Sequence, residues 1–169
     1  DPETSMHETW TTPELPTSIG LGKDGGFIVG LRQRIVRWRP GGTFETFAVP
    51  EPELGGNRLN EGVVAPDGSF WVGTMQDNIG PDLGSMEMTA PTGSLYRVAP
   101  DGTVSRLTDD RFGITNTMVW LDDGRFVTAD TLANELYLYE YDSTAMQLQR
   151  RQLLAKIERG LPDGSTRDA

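Results

Sequence analysis

Asn57-Arg58-Leu59-Asn60-Glu61-Gly62 crowds a guanidinium, two amides and a carboxylate into six residues directly ahead of the apolar pair Val63-Val64. Polar groups carried into a half-buried strand must find partners there, because an unpaired one costs about 1–3 kcal/mol. They therefore either tie strand ends together or face a ligand. Two more oxygen-bearing positions stand out downstream: Asn116, just before Val119-Trp120, and Asp163 in Leu161-Pro162-Asp163-Gly164. Each also has an ordinary reading. Asn116 can cap a strand end, Pro-Asp-Gly is a common turn, and Arg58 can pair with Glu61 across a loop at little energetic consequence. Asp130, ending an apolar run, reads as a hydrogen-bonding residue between neighbouring sheets. The chain has no cysteine and one histidine, His7. A thiol nucleophile, a thiolate metal site and a disulfide framework are thereby excluded. With His7 in an expected outer strand far from every other motif, a Ser-His-Asp or Cys-His triad is hard to build. Any catalysis by this chain is thus expected to be metal-assisted.

The elements that must position these residues are announced by a repeat. Asp-Gly-x-Phe recurs as Asp24-Gly25-Gly26-Phe27, Asp67-Gly68-Ser69-Phe70 and Asp123-Gly124-Arg125-Phe126, so that the three phenylalanines stand 43 and 56 residues apart. Each copy reads as a hairpin turn leading into a strand: Ile28-Val29-Gly30, Trp71-Val72-Gly73 and Val127-Thr128-Ala129. A second strand pair follows each time, split by a turn at Pro40-Gly41-Gly42, Pro100-Asp101-Gly102 or Asp142-Ser143-Thr144. Four short strands per unit at this period predict an all-β protein, a β-propeller of four-stranded blades rather than a sandwich.

Three complete blades are expected, over residues 17–49, 59–110 and 116–156, with partial blades at the ends: 1–12 as the last strand of an earlier blade and 161–169 as the start of the next. The longer second spacing comes from an insertion, residues 77–92, rich in Gly, Pro, Met and polar residues. It is expected to act as a lid or specificity loop at one mouth of the channel, with Met86 and Met88 as an adaptable apolar surface. Lys156 to Gly160 is expected to form a short helical turn. A six-bladed ring at this period needs about 260–300 residues. The remaining blades are therefore expected from a longer chain or, as a second option, from another copy.

Formal net charge is −10, from 25 acids against 15 bases. The Arg32 to Arg39 run, with its four arginines, alternates with apolar residues as an ordinary strand does, so nucleic acid is not an expected partner. No apolar run approaches the roughly 20 residues of a membrane helix, and no signal-like segment opens the chain. A soluble protein is expected, cytoplasmic rather than secreted.

The sequence resembles the senescence-marker-protein/gluconolactonase/luciferin-regenerating-enzyme family, the regucalcin-like six-bladed propellers. The likeness is carried by Asn57-Arg58-Leu59-Asn60-Glu61-Gly62 with Phe70-Trp71-Val72-Gly73-Thr74-Met75. Pro91-Thr92-Gly93-Ser94-Leu95-Tyr96-Arg97, Ile114-Thr115-Asn116 and Leu161-Pro162-Asp163-Gly164 follow in order. The resemblance implies a metal-dependent hydrolase of sugar-type lactones. Asn116 and Asp163 would be two protein ligands of one divalent metal, with Asp163 also the general base. A third ligand, a Glu of the first blade, lies outside this sequence. Ca²⁺ is the first expectation, with Zn²⁺, Mn²⁺ and Mg²⁺ as alternatives. Arg58, Asn60 and Asn78 would contact the substrate. Asn78 stands where the family carries an acid, and Glu61 where it carries Asp. The alternative is a non-catalytic metal-binding or interaction propeller, or an inactive fragment of a lactonase.

Overall fold

The computed structural model describes residues 7–167. Among the described residues, twelve strands form three antiparallel sheets of four, each a meander in chain order. The first holds β1 (Ser18–Leu21), β2 (Phe27–Gly30), β3 (Ile35–Trp38) and β4 (Glu45–Ala48). The second holds β5 (Asn57–Val64), β6 (Phe70–Gln76), β7 (Leu95–Val98) and β8 (Val104–Arg106). The third holds β9 (Thr115–Trp120), β10 (Phe126–Asp130), β11 (Glu135–Asp142) and β12 (Gln147–Lys156). The first strands of successive sheets touch, β1 against β5 and β5 against β9. The molecule is all-β, and the sheets stack face to face as blades of a partial propeller.

Alternation along β6 explains the stacking, since successive side chains of a strand point to opposite faces. Phe70 and Val72 join Ile35, Ala48, Leu59 and Val98 in the layer between the first two sheets. Trp71, from the opposite face, joins Leu95, Phe112, Met118, Phe126 and Tyr139 in the layer between the second and third. Each buried Phe or Val of this kind contributes about 1.5–3 kcal/mol. Trp120 and Tyr141 close edge-on around Trp71, with ring centroids 4.5 and 5.0 Å away. β6 and β9 approach closely at Gly73, where a Cβ would lie 2.2 Å from the Thr115 hydroxyl. Glycine is the residue that lets β6 and β9 meet there.

Several local expectations change. Residues 1–6 of the earlier-blade strand lie outside the described residues, and 7–12 form no strand, because no neighbouring strand bonds them. Trp10 packs edge-on against Trp38 instead, 5.2 Å between centroids. Residues 161–167 likewise form no strand, and 168–169 lie outside the described residues. Residues 158–160 bend rather than forming a helical turn. Ile157 N donates to Asn134 O, which continues sheet pairing past β12 and holds the chain extended there. β5 begins at Asn57, two residues before the expected blade start.

Candidate functional site on the bulged first strands

Two of the three first strands are bulged at the same level. In β5, Leu59 pairs with Thr74 and Gly62 with Val72, so Asn60 and Glu61 stand opposite Gly73 alone. In β9, Asn116 pairs with Ala129 and Met118 with Thr128, leaving Thr117 as the extra residue. β1 pairs with β2 without a register shift. A bulge bends its strand and re-aims the side chains beside it. Thr117 sits at φ +52°, a left-handed conformation that is costly for a β-branched residue and persists only where its surroundings hold it.

Two threonine hydroxyls tie this part of the sheet to the 162–165 segment. Thr117 Oγ1 donates to Asp163 O at 2.6 Å and lies 2.9 Å from Ser165 Oγ. Thr131 Oγ1 accepts from Asn116 Nδ2 at 3.1 Å and donates to Pro162 O at 2.8 Å. Asn116 is buried and lies inside β9, not ahead of it. Its amide nitrogen is spoken for by Thr131, and among the described residues no donor reaches its Oδ1. Asp163 Oδ1 accepts from Gly164 N at 2.9 Å, and among the described residues no donor reaches its Oδ2. The Asn116 side chain and the backbone of the Asp163 segment are thus tied to neighbouring threonines, Asn116 and Pro162 through the same hydroxyl.

Glu61 approaches the same point from β5. Its Oε1 accepts from Gly62 N at 3.1 Å, and a Cβ on Gly164 would meet its Oε2 at 3.2 Å. Burial first, then the negative charge of Asp163, push its carboxyl above the usual range, against the opposing Gly62 hydrogen bond. The donor set of an amide oxygen and carboxylates suits a hard cation. Asn116 and Asp163 therefore fit a divalent metal by chemistry. Among the described residues no three acidic or histidine side chains converge into a ready-made cage.

Beside this corner lies a second group. Arg58 Nε and Nη2 donate to Asn78 Oδ1 at 3.2 and 3.0 Å, and Nη1 donates to Asn60 Oδ1 at 2.8 Å and Leu59 O at 3.0 Å. Asn60 Nδ2 reaches across to Thr115 O at 2.9 Å, which joins this group to β9 next to Asn116. Burial foremost lowers the Arg58 guanidinium below its ordinary value; the positive charge of Arg32 adds to this and Asp77 opposes it. Arg58 makes no pair with Glu61. The insertion is anchored here: Arg32 donates to Asp77 Oδ2 at 2.5 Å and Ile79 O at 2.6 Å, and Gln76 Oε1 accepts from Thr89 N and Ala90 N. Asp130 accepts from the backbone N–H groups of Gly113, Ile114 and Leu132, so its carboxylate shapes the chain entering β9.

Arg58, Asn60 and Asn78 thus form one bonded group, and Asn116 is coupled to the Pro162–Asp163 segment through Thr131. Sequence reasoning missed Thr117, Thr131, Arg32 and the Arg32–Asp77 pair. A hydroxyl at a strand end and an arginine in an alternating run carry no signal of a partner some 15 to 46 residues away.

The sequence model of the "SMP-30/Gluconolactonase/LRE-like region" matches residues 1–169. Regucalcin of Gallus gallus is 29% identical over 153 residues, covering 88% of this chain and 49% of that protein. Among solved structures, a luciferin-regenerating enzyme superposes with a TM-score of 0.77 at 28% identity, over 90% of this chain and 52% of its own. A putative gluconolactonase does so with a TM-score of 0.68 at 28% identity, over 88% and 52%. The chain spans about half the length of the relatives it matches. With its blade architecture and the motifs on β5 and β9, this chain belongs to the SMP-30/gluconolactonase/LRE-like family.

Proposed function

We propose that this site hydrolyses sugar-type lactones with the help of one divalent cation, Ca²⁺ before Mg²⁺, Mn²⁺ or Zn²⁺. The observation that carries the reading is the meeting, on two adjoining bulged strands of a gluconolactonase-family chain, of the Arg58–Asn60–Asn78 group with Asn116 and Asp163. Asn116 Oδ1 and Asp163 would hold the cation, and the first-blade Glu that the family resemblance implies lies outside this sequence. When bound, a divalent cation polarises an ester carbonyl and acidifies a water.

The protein's own groups do the rest. Arg58 and Asn60 orient the ring oxygens of the lactone and stabilise the oxyanion as it develops. The open Oδ2 of Asp163 takes a proton from water as the water oxygen bonds to the carbonyl carbon. The ring C–O bond then breaks, and that proton passes to the leaving alkoxide, giving the hydroxy acid. Thr117 and Thr131 hold the Asp163 segment against Asn116 throughout. The blades flanking this chain are inferred to come from a longer polypeptide. Ile19 and Leu21 on β1 and Leu153 and Leu154 on β12 are more than half exposed or nearly so, apolar surface that a neighbouring blade would cover.

The test is turnover of a panel running from gluconolactone to small aliphatic lactones, with each of the four cations and with chelator. Metal-dependent hydrolysis that Asp163→Asn abolishes is the expected result. Cation binding without turnover of any lactone by folded protein would replace the enzyme with a non-catalytic metal-binding propeller.

A further inference from the structure

Two consecutive residues of the insertion, Asp77 and Asn78, each hold an arginine. Asp77 takes Arg32 at 2.5 Å, and Asn78 takes Arg58 through two hydrogen bonds. All the partners of Arg58 are neutral: the amides of Asn60 and Asn78 and the carbonyl of Leu59. Asp77, the carboxylate next to Asn78 in the chain, is already engaged by Arg32. Within the cluster of Arg32, Arg58, Asp77 and Asn78, two guanidiniums stand with one carboxylate, a net charge of +1 on a chain of net charge −10, while Glu61 and Asp163 carry the negative charge of the adjoining corner. A half-buried cation without its own counter-ion is costly. One N–H on Arg58 Nη2 and the Nη1 of Arg32 are left without partners among the described residues.

We infer that the Arg32–Asp77 and Arg58–Asn78 pairs form a subsite for an anionic substituent of the substrate, a free carboxylate carried by the lactone in addition to its ring ester. A carboxylate matches the single surplus charge and the few free N–H donors, and guanidinium forks suit its planar geometry. A phosphate, with close to two charges and three acceptor oxygens, exceeds both. The substrate class is then a monolactone of a sugar diacid, in which one carboxyl closes the ring and the other stays free. This inference rests on the reading of this mouth as the substrate site and adds the class of molecule it admits.

Binding is measured by calorimetry on the full protein in excess chelator, so that no cation contributes. The probes are D-glucarate, with two carboxylates, D-gluconate, with one, and 6-phosphogluconate. Glucarate is expected to bind about tenfold tighter than gluconate, with the gap closing as salt rises. Asn78→Asp, which gives Arg58 a counter-ion, and Arg32→Gln, which releases Asp77 towards Arg58, are each expected to erase most of that gap. Equal affinity for glucarate and gluconate, no measurable binding of either, or a gap untouched by both variants overturns the inference. Tighter binding of 6-phosphogluconate than of glucarate overturns the choice of carboxylate. Hydrolysis of glucarolactone and gluconolactone is the second arm. Turnover at equal kcat/KM overturns the subsite while keeping the lactonase, whereas glucarate selectivity without turnover keeps the subsite and removes the lactonase.

Discussion

Asp-Gly occurs five times in this chain, and four copies behave alike. At Asp24-Gly25, Asp67-Gly68, Asp101-Gly102 and Asp123-Gly124 the glycine takes a φ between +78° and +90°. The aspartate Oδ1 there accepts the N–H two residues on, at 2.9–3.1 Å. These are the hairpins at one end of the sheets, turns that hold themselves together by local bonds. Asp163-Gly164 follows a proline as Asp67-Gly68 does, yet Gly164 stays outside the left-handed region. Asp163 bonds only the next N–H, and its carbonyl is claimed by Thr117 from β9. The same dipeptide is a self-contained turn in four places and a chemically available carboxylate in the fifth. The difference is made by contacts from another sheet.

The largest effect expected from that contrast is in catalysis. Asp163→Asn should lower lactone turnover about 100-fold or more while the thermal melt stays put. Asp123→Asn, the same change in a hairpin, should leave kcat unaltered. Equal losses in the two variants would erase the distinction.

Next comes the threonine clamp. Thr131→Val removes the hydroxyl joining Asn116 Nδ2 to Pro162 O and is expected to weaken cation binding about tenfold, read by calorimetry. Thr131→Ser keeps the hydroxyl and should restore most of the affinity. Unchanged affinity in the valine variant would mean that Asn116 and Asp163 are positioned without it.

Alanine at the glycines separates the two kinds of turn by stability. Gly68→Ala must adopt φ near +80° and should cost about 1–2 kcal/mol in denaturant melts. Gly164→Ala meets no such strain. Its methyl would sit 3.2 Å from the flexible end of Glu61, so it should leave the melt nearly unchanged and alter cation affinity instead.

The smallest effect is a pH dependence at the hairpins. Burial alone would raise the Asp67 carboxyl, but hydrogen bonds from Ser69 and Arg97 outweigh it and hold it below the ordinary 3.8. A depressed folded-state value stabilises the fold above the unfolded-state value, and that stability is lost as pH falls through the folded one. The side chain is 44% exposed, so solvent screening keeps the contribution under about 1 kcal/mol. The gap between wild type and Asp67→Asn in urea melts should shrink between about pH 5 and pH 2. A gap that widens on acidification would contradict this assignment.

Much of the architecture was legible from residue order because its causes are local. Alternating apolar positions such as Phe70-Trp71-Val72, Asp-Gly turns and a repeat of strand quartets are written in neighbouring residues, and they determined three four-stranded blades. The polar run at Arg58 and Asn60 was legible too, since so many polar groups at the edge of a core demand partners. What only the tertiary structure decided is how those groups are aimed. The bulges at Asn60-Glu61 and Thr117, the left-handed Thr117, the threonine clamp and the Arg32–Asp77 pair arise from residues far apart in the chain. A strand's register and the partner of a buried hydroxyl are set by which surfaces meet, and those surfaces exist only once the blades have stacked.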